Sequence, residues 1–180
     1  MLAGVLVPGR GYTAQAPLLD LARHALEDRN ARVETVQWLV PDGLFSMDGA
    51  EPFVRLHVGA ALHRLTEDLP GATPVVIAKS LGSYAAALVA ERGLPAVWLT
   101  PILTDDRVAA AIGRSTGPAL LVGGTGDSSW LPEAAAATGK TVVTVDGGDH
   151  GLRPPGPLRA YADALGTVGT AIEEFLTTLR

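Results

Sequence analysis

The chain has 180 residues, 47% hydrophobic and 18% charged, with a formal net charge of −5 and no cysteine. That length suits a single domain over residues 1–180 with a sizeable core. The acidic balance, without a Lys or Arg cluster, excludes a phosphate-binding nucleic-acid surface, and the absent thiols exclude disulfides, a cysteine nucleophile and thiolate metal sites. A small-molecule ligand is therefore expected. Residues 1–7 lack the basic start of a signal peptide and no run is long enough to span a bilayer, so a cytoplasmic protein with no membrane partner is expected.

Strand-like runs at Leu2–Val7, 32–39, 74–77, 96–99, 119–122 and 141–145 alternate with segments of helical periodicity. Such alternation predicts a mostly parallel sheet of about six strands covered by helices on both faces. After the first run, Gly9, Gly11 and Ala14 spell G-x-G-x-x-A, the dinucleotide-binding fingerprint. Its acidic ribose ligand is missing, because Glu34 lies inside the second run and Asp42 comes late. Loop 41–50 carries Leu44, Phe45 and Met47, which read as tucked into the core rather than walling an acyl site. The helix over 51–69 shows an apolar stripe at Phe53, Val54, Val58, Ala61, Leu62 and Leu65. His57 on that stripe reads as a satisfied core histidine, and His24 and His63 as surface residues. None has metal-ligand spacing to a partner, so neither a metal nor a cofactor is expected.

The run 74–77 then leads into Ala78, Lys79, Ser80, Leu81 and Gly82 and a small-residue helical stretch that Gly93 ends. A serine on a strand-to-helix turn is forced into a strained backbone conformation that lifts its hydroxyl above the sheet edge, and small residues two positions before and after permit this. Downstream, Thr104, Asp105 and Asp106 read as an N-cap and acidic first turn. Asp127 closes the run that begins at 119, and His150 follows the run 141–145 within Gly147, Gly148, Asp149, His150 and Gly151. The last helix repeats Leu158, Tyr161, Leu165, Val168, Ile172, Phe175 and Leu179.

The order serine, aspartate, histidine and the five residues 78–82 resemble the α/β-hydrolase superfamily, with its G-x-S-x-G nucleophile motif, over nearly the whole chain. Ala78 replaces the first motif glycine, as in small cap-free lipases and esterases of the superfamily. The resemblance implies a single-domain α/β-hydrolase-like fold that lacks the first two of the eight usual strands and, with only a short helix over 100–117, lacks a cap. It further implies an oxyanion loop at Pro8, Gly9, Arg10 and Gly11, with Pro8 in the place of a histidine and the Arg10 N–H as donor. Leu81 N–H is the other donor by position. Gly9, Gly11, Tyr12, Lys79 and Trp130 are the expected substrate-binding residues. Lys79 reads as facing solvent at the site mouth rather than as favouring an anionic substrate, and Trp98 as core.

A serine hydroxyl is a poor nucleophile, so a neutral imidazole must take its proton and a buried carboxylate must hold that imidazole's tautomer. Ser80, His150 and Asp127 fill these roles, with Asp105 or Asp106 as the alternative acid and Asp149 as a turn residue. The expected function is a small serine hydrolase acting on an ester, thioester or related acyl substrate through an acyl-enzyme. A second reading keeps the fold but makes the chain a lyase, cyclase, acyl transferase or binding scaffold. A third, dinucleotide binding, leaves the serine, aspartate and histidine unexplained.

Overall fold

Three of the predicted strand runs are apolar at almost every position, and such sequences bury both faces of a parallel sheet. In the computed structural model, which describes residues 1–44 and 48–179, they become β3 (Thr73–Lys79), β4 (Ala96–Leu99) and β5 (Ala119–Gly124). Together with β1 (Leu2–Val7), β2 (Arg32–Thr35) and β6 (Thr141–Val145) they form a six-stranded sheet in the order β2-β1-β3-β4-β5-β6. All five pairings are parallel, with Leu6 opposite Ile77 and Val97 opposite Leu120 among the central registers.

Alternate strand residues feed two cores. Val5, Val76, Ala78, Trp98 and Leu121 face one side, where α2 (Ala50–Asp68), α3 (Ala86–Arg92), α4 (Asp106–Arg114) and α5 (Pro132–Ala137) pack. Leu6, Val75, Ile77, Val97, Leu120 and Val122 face the other, beneath α1 (Pro17–Glu27) and α6 (Leu158–Thr177). On α2 the expected stripe is seen, with Val54, Val58, Ala61, Leu62 and Leu65 buried. Burying a side chain of this size stabilises the fold by about 1.5–3 kcal/mol. On α6 the stripe is displaced: Ala164 and Leu176 join the buried set, while Leu158 is 72% exposed at the first turn, beyond the reach of the sheet.

The second strand is shorter than expected. Val36 N–H still donates to Leu6 O at 2.9 Å, but β1 gives way one residue later to Pro8, which has no N–H, so residues 37–40 have no ladder to join. Leu44 is buried as expected, whereas Phe45 and Met47 lie outside the described residues. Residues 100–117 contribute α4 alone. Among the described residues no helix is long and apolar enough to cross a membrane.

Candidate active site

The strand order reverses between β1 and β3, and open α/β sheets bind ligands outside the carboxyl ends of their strands at such a point. The residues that follow β1, β3, β5 and β6 meet there. Ser80 follows β3 and opens a 3-10 turn (Ser80–Ala85) with φ of +53°, a left-handed conformation that a side chain resists. Its small neighbours have a visible purpose. A Cβ at Gly82 would stand 2.9 Å from Val7 Cγ1, 3.1 Å from Val7 O and 3.2 Å from Ala78 Cβ, so the turn packs against β1 only because residue 82 has no side chain.

The loops after β5 and β6 come together backbone to backbone. Gly126 N–H donates to Gly148 O at 2.9 Å, and a Cβ at Gly124 would fall 2.1 Å from that same oxygen. This approach brings Asp127 to His150. Asp127 Oδ2 lies 2.7 Å from His150 Nδ1, and Oδ1 accepts from Ser129 N–H at 2.9 Å, so both carboxylate oxygens are engaged. A carboxylate accepts only, which puts the proton on Nδ1 and leaves Nε2 as an acceptor. Nε2 lies 2.7 Å from Ser80 Oγ. The aspartate side chain is 2% exposed and the imidazole 43%, so the carboxylate is dry while the ring reaches solvent.

The alternative acids are occupied elsewhere. Asp105 caps α4 by accepting from Arg107 N–H at 3.0 Å and also takes the Arg107 guanidinium and the Tyr84 hydroxyl; the Arg107 contact holds its carboxyl below the usual range. Asp106 sits in the first turn of α4. Asp149 is a turn residue, accepting from Gly151 and Arg153 N–H at 2.8 and 3.0 Å. His57 rests on the helix against Trp38 and Phe53, with Nδ1–H donating to Phe53 O at 2.8 Å; His24 and His63 are exposed. Among the described residues no group of three or more His, Asp or Glu is arranged to hold a metal.

A cavity of about 410 Å³ opens over Ser80, lined by residues 9–12, Lys79, His150 and Gly151. Gly9, Arg10, Gly11 and Tyr12 line this cavity, and Leu81 follows Ser80 with its side chain fully buried. Two expectations are corrected. Lys79 does not face solvent: it is 2% exposed, its ammonium drawn inward to the His150 carbonyl. Trp130 does not line the site but packs its ring on the backbone of Gly123 in the core. Trp98 is core, as expected.

Sequence reasoning missed Trp38. It walls a second cavity of about 310 Å³ that shares residues 9–12 with the first, and its indole N–H reaches Gly9 O at 3.4 Å. The sequence places Trp38 inside the second strand run, and its position beside residues 9–12 follows from that strand ending at Thr35. The G-x-G-x-x-A run gains nothing here. A Cβ at Gly11 would meet no atom within 4 Å, so no close backbone approach demands that glycine, and Glu34 pairs with Arg64.

No family model matches the chain, and no curated protein matches it. Solved structures do. Est1E from Butyrivibrio proteoclasticus, with ferulic acid bound, superposes at a TM-score of 0.71 and 16% identity over 99% of this chain and 89% of that one. The Pyrococcus furiosus esterase Pf2001 gives 0.71 and 12% over 98% and 82%. XC6422 from Xanthomonas campestris, an α/β serine hydrolase without a lid, gives 0.64 and 15% over 97% and 82%. The chain has the α/β-hydrolase fold.

Proposed function

We propose that this chain is a small serine hydrolase that cleaves an ester, thioester or related acyl substrate, with Ser80 as nucleophile, His150 as general base and acid, and Asp127 as its orienting carboxylate. The observation that carries this reading is the continuous line from Asp127 Oδ2 through both imidazole nitrogens to Ser80 Oγ, each contact 2.7 Å, ending on a serine held at φ +53°. Ser80 Oγ attacks the acyl carbon while its proton passes to His150 Nε2. The developing oxyanion takes hydrogen bonds from the Leu81 and Arg10 N–H groups, each worth roughly 3–4 kcal/mol in such a site. Collapse breaks the bond to the alcohol or thiol, which leaves with the proton from Nε2. Water then attacks the acyl-Ser80, giving its proton to Nε2, and Ser80 regains a proton as the carboxylic acid departs.

The open cavity of about 410 Å³ and its 310 Å³ neighbour provide room for an acyl group and an alcohol on either side of residues 9–12. No cofactor is needed for these steps, and the substrate is a small cytoplasmic molecule. The ferulic acid in Est1E makes aryl and hydroxycinnamoyl esters the first to screen. The test is a fluorophosphonate probe with the labelled residue located by mass spectrometry. Labelling confined to Ser80, absent in Ser80→Ala and slowed at least about a thousandfold in His150→Ala, is expected. A folded chain that does not label would instead favour the non-hydrolytic reading.

A further inference from the structure

Lys79 takes no part in the steps above, yet it is among the largest fully buried side chains. Burying an ammonium is costly, and an apolar side chain of similar volume would fill the space without that cost. What the amine touches accounts for its presence. Its Nζ donates to the backbone carbonyl of His150 at 2.8 Å and stands 4.9 Å from the centre of the Tyr12 ring. Tyr12 in turn shapes loop 8–12: its carbonyl accepts from Gly9 N–H at 3.0 Å, and its hydroxyl accepts from Leu18 N–H at 2.8 Å, at the start of α1. One side chain, rooted next to Ser80, therefore reaches both the loop after β6 and the loop after β1.

Resting on the hydrolase reading, we propose that Lys79 is a positioning residue whose ammonium ties the His150 loop to the Tyr12 loop, holding the general base and the Arg10 N–H in register around Ser80. The two contacts differ in what they require. The carbonyl accepts from a charged or a neutral amine, whereas the attraction to the face of the ring exists only for the cation. The titratable groups that face the amine are Tyr12, His150, Asp127 and Asp149. The two carboxylates favour its cation, but burial outweighs them and draws Lys79 down to about 8, while burial pushes the Tyr12 phenol up to about 12. Loss of the ring contact thus falls within an accessible pH range in which Tyr12 stays neutral.

The experiment measures labelling of Ser80 by a fluorophosphonate, and kcat and KM on an aryl ester, between about pH 6 and about pH 10, for the parent, Lys79→Met, Lys79→Gln and Tyr12→Leu. Lys79→Met is expected to lower kcat and the labelling rate at least about tenfold with KM little changed, because the bound geometry rather than binding is lost. The parent is expected to show an alkaline decline near pH 8 that both Lys79→Met and Tyr12→Leu lack. Lys79→Gln keeps a donor but no charge and should stay below the parent. A folded Lys79→Met that labels at the parent rate overturns the proposal, as does an alkaline decline that survives in it, or full activity in Lys79→Gln. A parent that does not label at Ser80 refutes the hydrolase reading itself, a result distinct from each of these.

Discussion

Ser80 is held where its backbone resists being held. A non-glycine residue at φ +53° carries about 1–3 kcal/mol of strain that the surrounding turn must offset. Ser80→Gly is therefore expected to raise unfolding free energy by roughly 1 kcal/mol while abolishing labelling, a trade that thermal denaturation and the probe can read in parallel. The acid can be tested in the same way. Asp127→Asn keeps the shape but offers His150 an amide, and kcat should fall roughly 10²- to 10⁴-fold with the fold intact. Asp105→Ala should cost about 1 kcal/mol of stability through the lost cap and leave labelling in place, as its partners are Arg107 and Tyr84. The candidate serine, aspartate and histidine were legible because their order and their places after strands are local facts. Lys79 was not, since its burial depends on a carbonyl 71 residues away and an aromatic ring from another loop, while lysine by itself signals a surface.

Among the elements, the strands were legible wherever both faces are buried, and helices wherever an apolar stripe faces one core. Boundaries were less so: the second strand was drawn through 39 but ends at Thr35, because its length is set by where β1 stops at Pro8 rather than by its own β-branched residues. The turn after β3 makes a sharper demand. In Gly82→Ala the new Cβ must displace Val7 or Ala78, and a cost of about 1–3 kcal/mol is expected in denaturant unfolding, with slower labelling as the turn shifts. Gly124→Ala should do more damage to activity, since the atom it meets is the Gly148 carbonyl, and a backbone oxygen cannot rotate away. The displaced pair of loops is the one that brings Asp127 to His150.

At the scale of the whole molecule, periodicity predicted a parallel sheet with two covered faces, but strand order was not legible, since no local pattern says that β1 lies between β2 and β3. Stability as a function of pH is also a property of the whole chain. Lys79 titrates near 8 when folded and at its ordinary 10.5 when unfolded, so between these values the unfolded chain binds more protons and stability rises with pH. The gain approaches about 3 kcal/mol at most. Above about pH 10, Tyr12 and Tyr84, both pushed up to about 12 chiefly by burial, work in the opposite direction, because the folded chain then holds the extra protons. Urea melts between about pH 8 and about pH 10 should show the rise in the parent and none in Lys79→Met, with both chains losing stability above that range as the tyrosines titrate.

The sheet is unevenly protected. Its centre is sealed on both faces, whereas β6, an edge strand of five residues, is largely open to water and leads directly to His150. Local opening at such an edge needs less free energy than global unfolding. On warming, fluorophosphonate labelling of Ser80 is therefore expected to fade several degrees before the helical signal does, with deuterium uptake along Thr141–Val145 outrunning that of Thr73–Lys79. The protein would then carry its own thermal fuse, in which His150 drifts off Ser80 while the scaffold that displays the serine still stands.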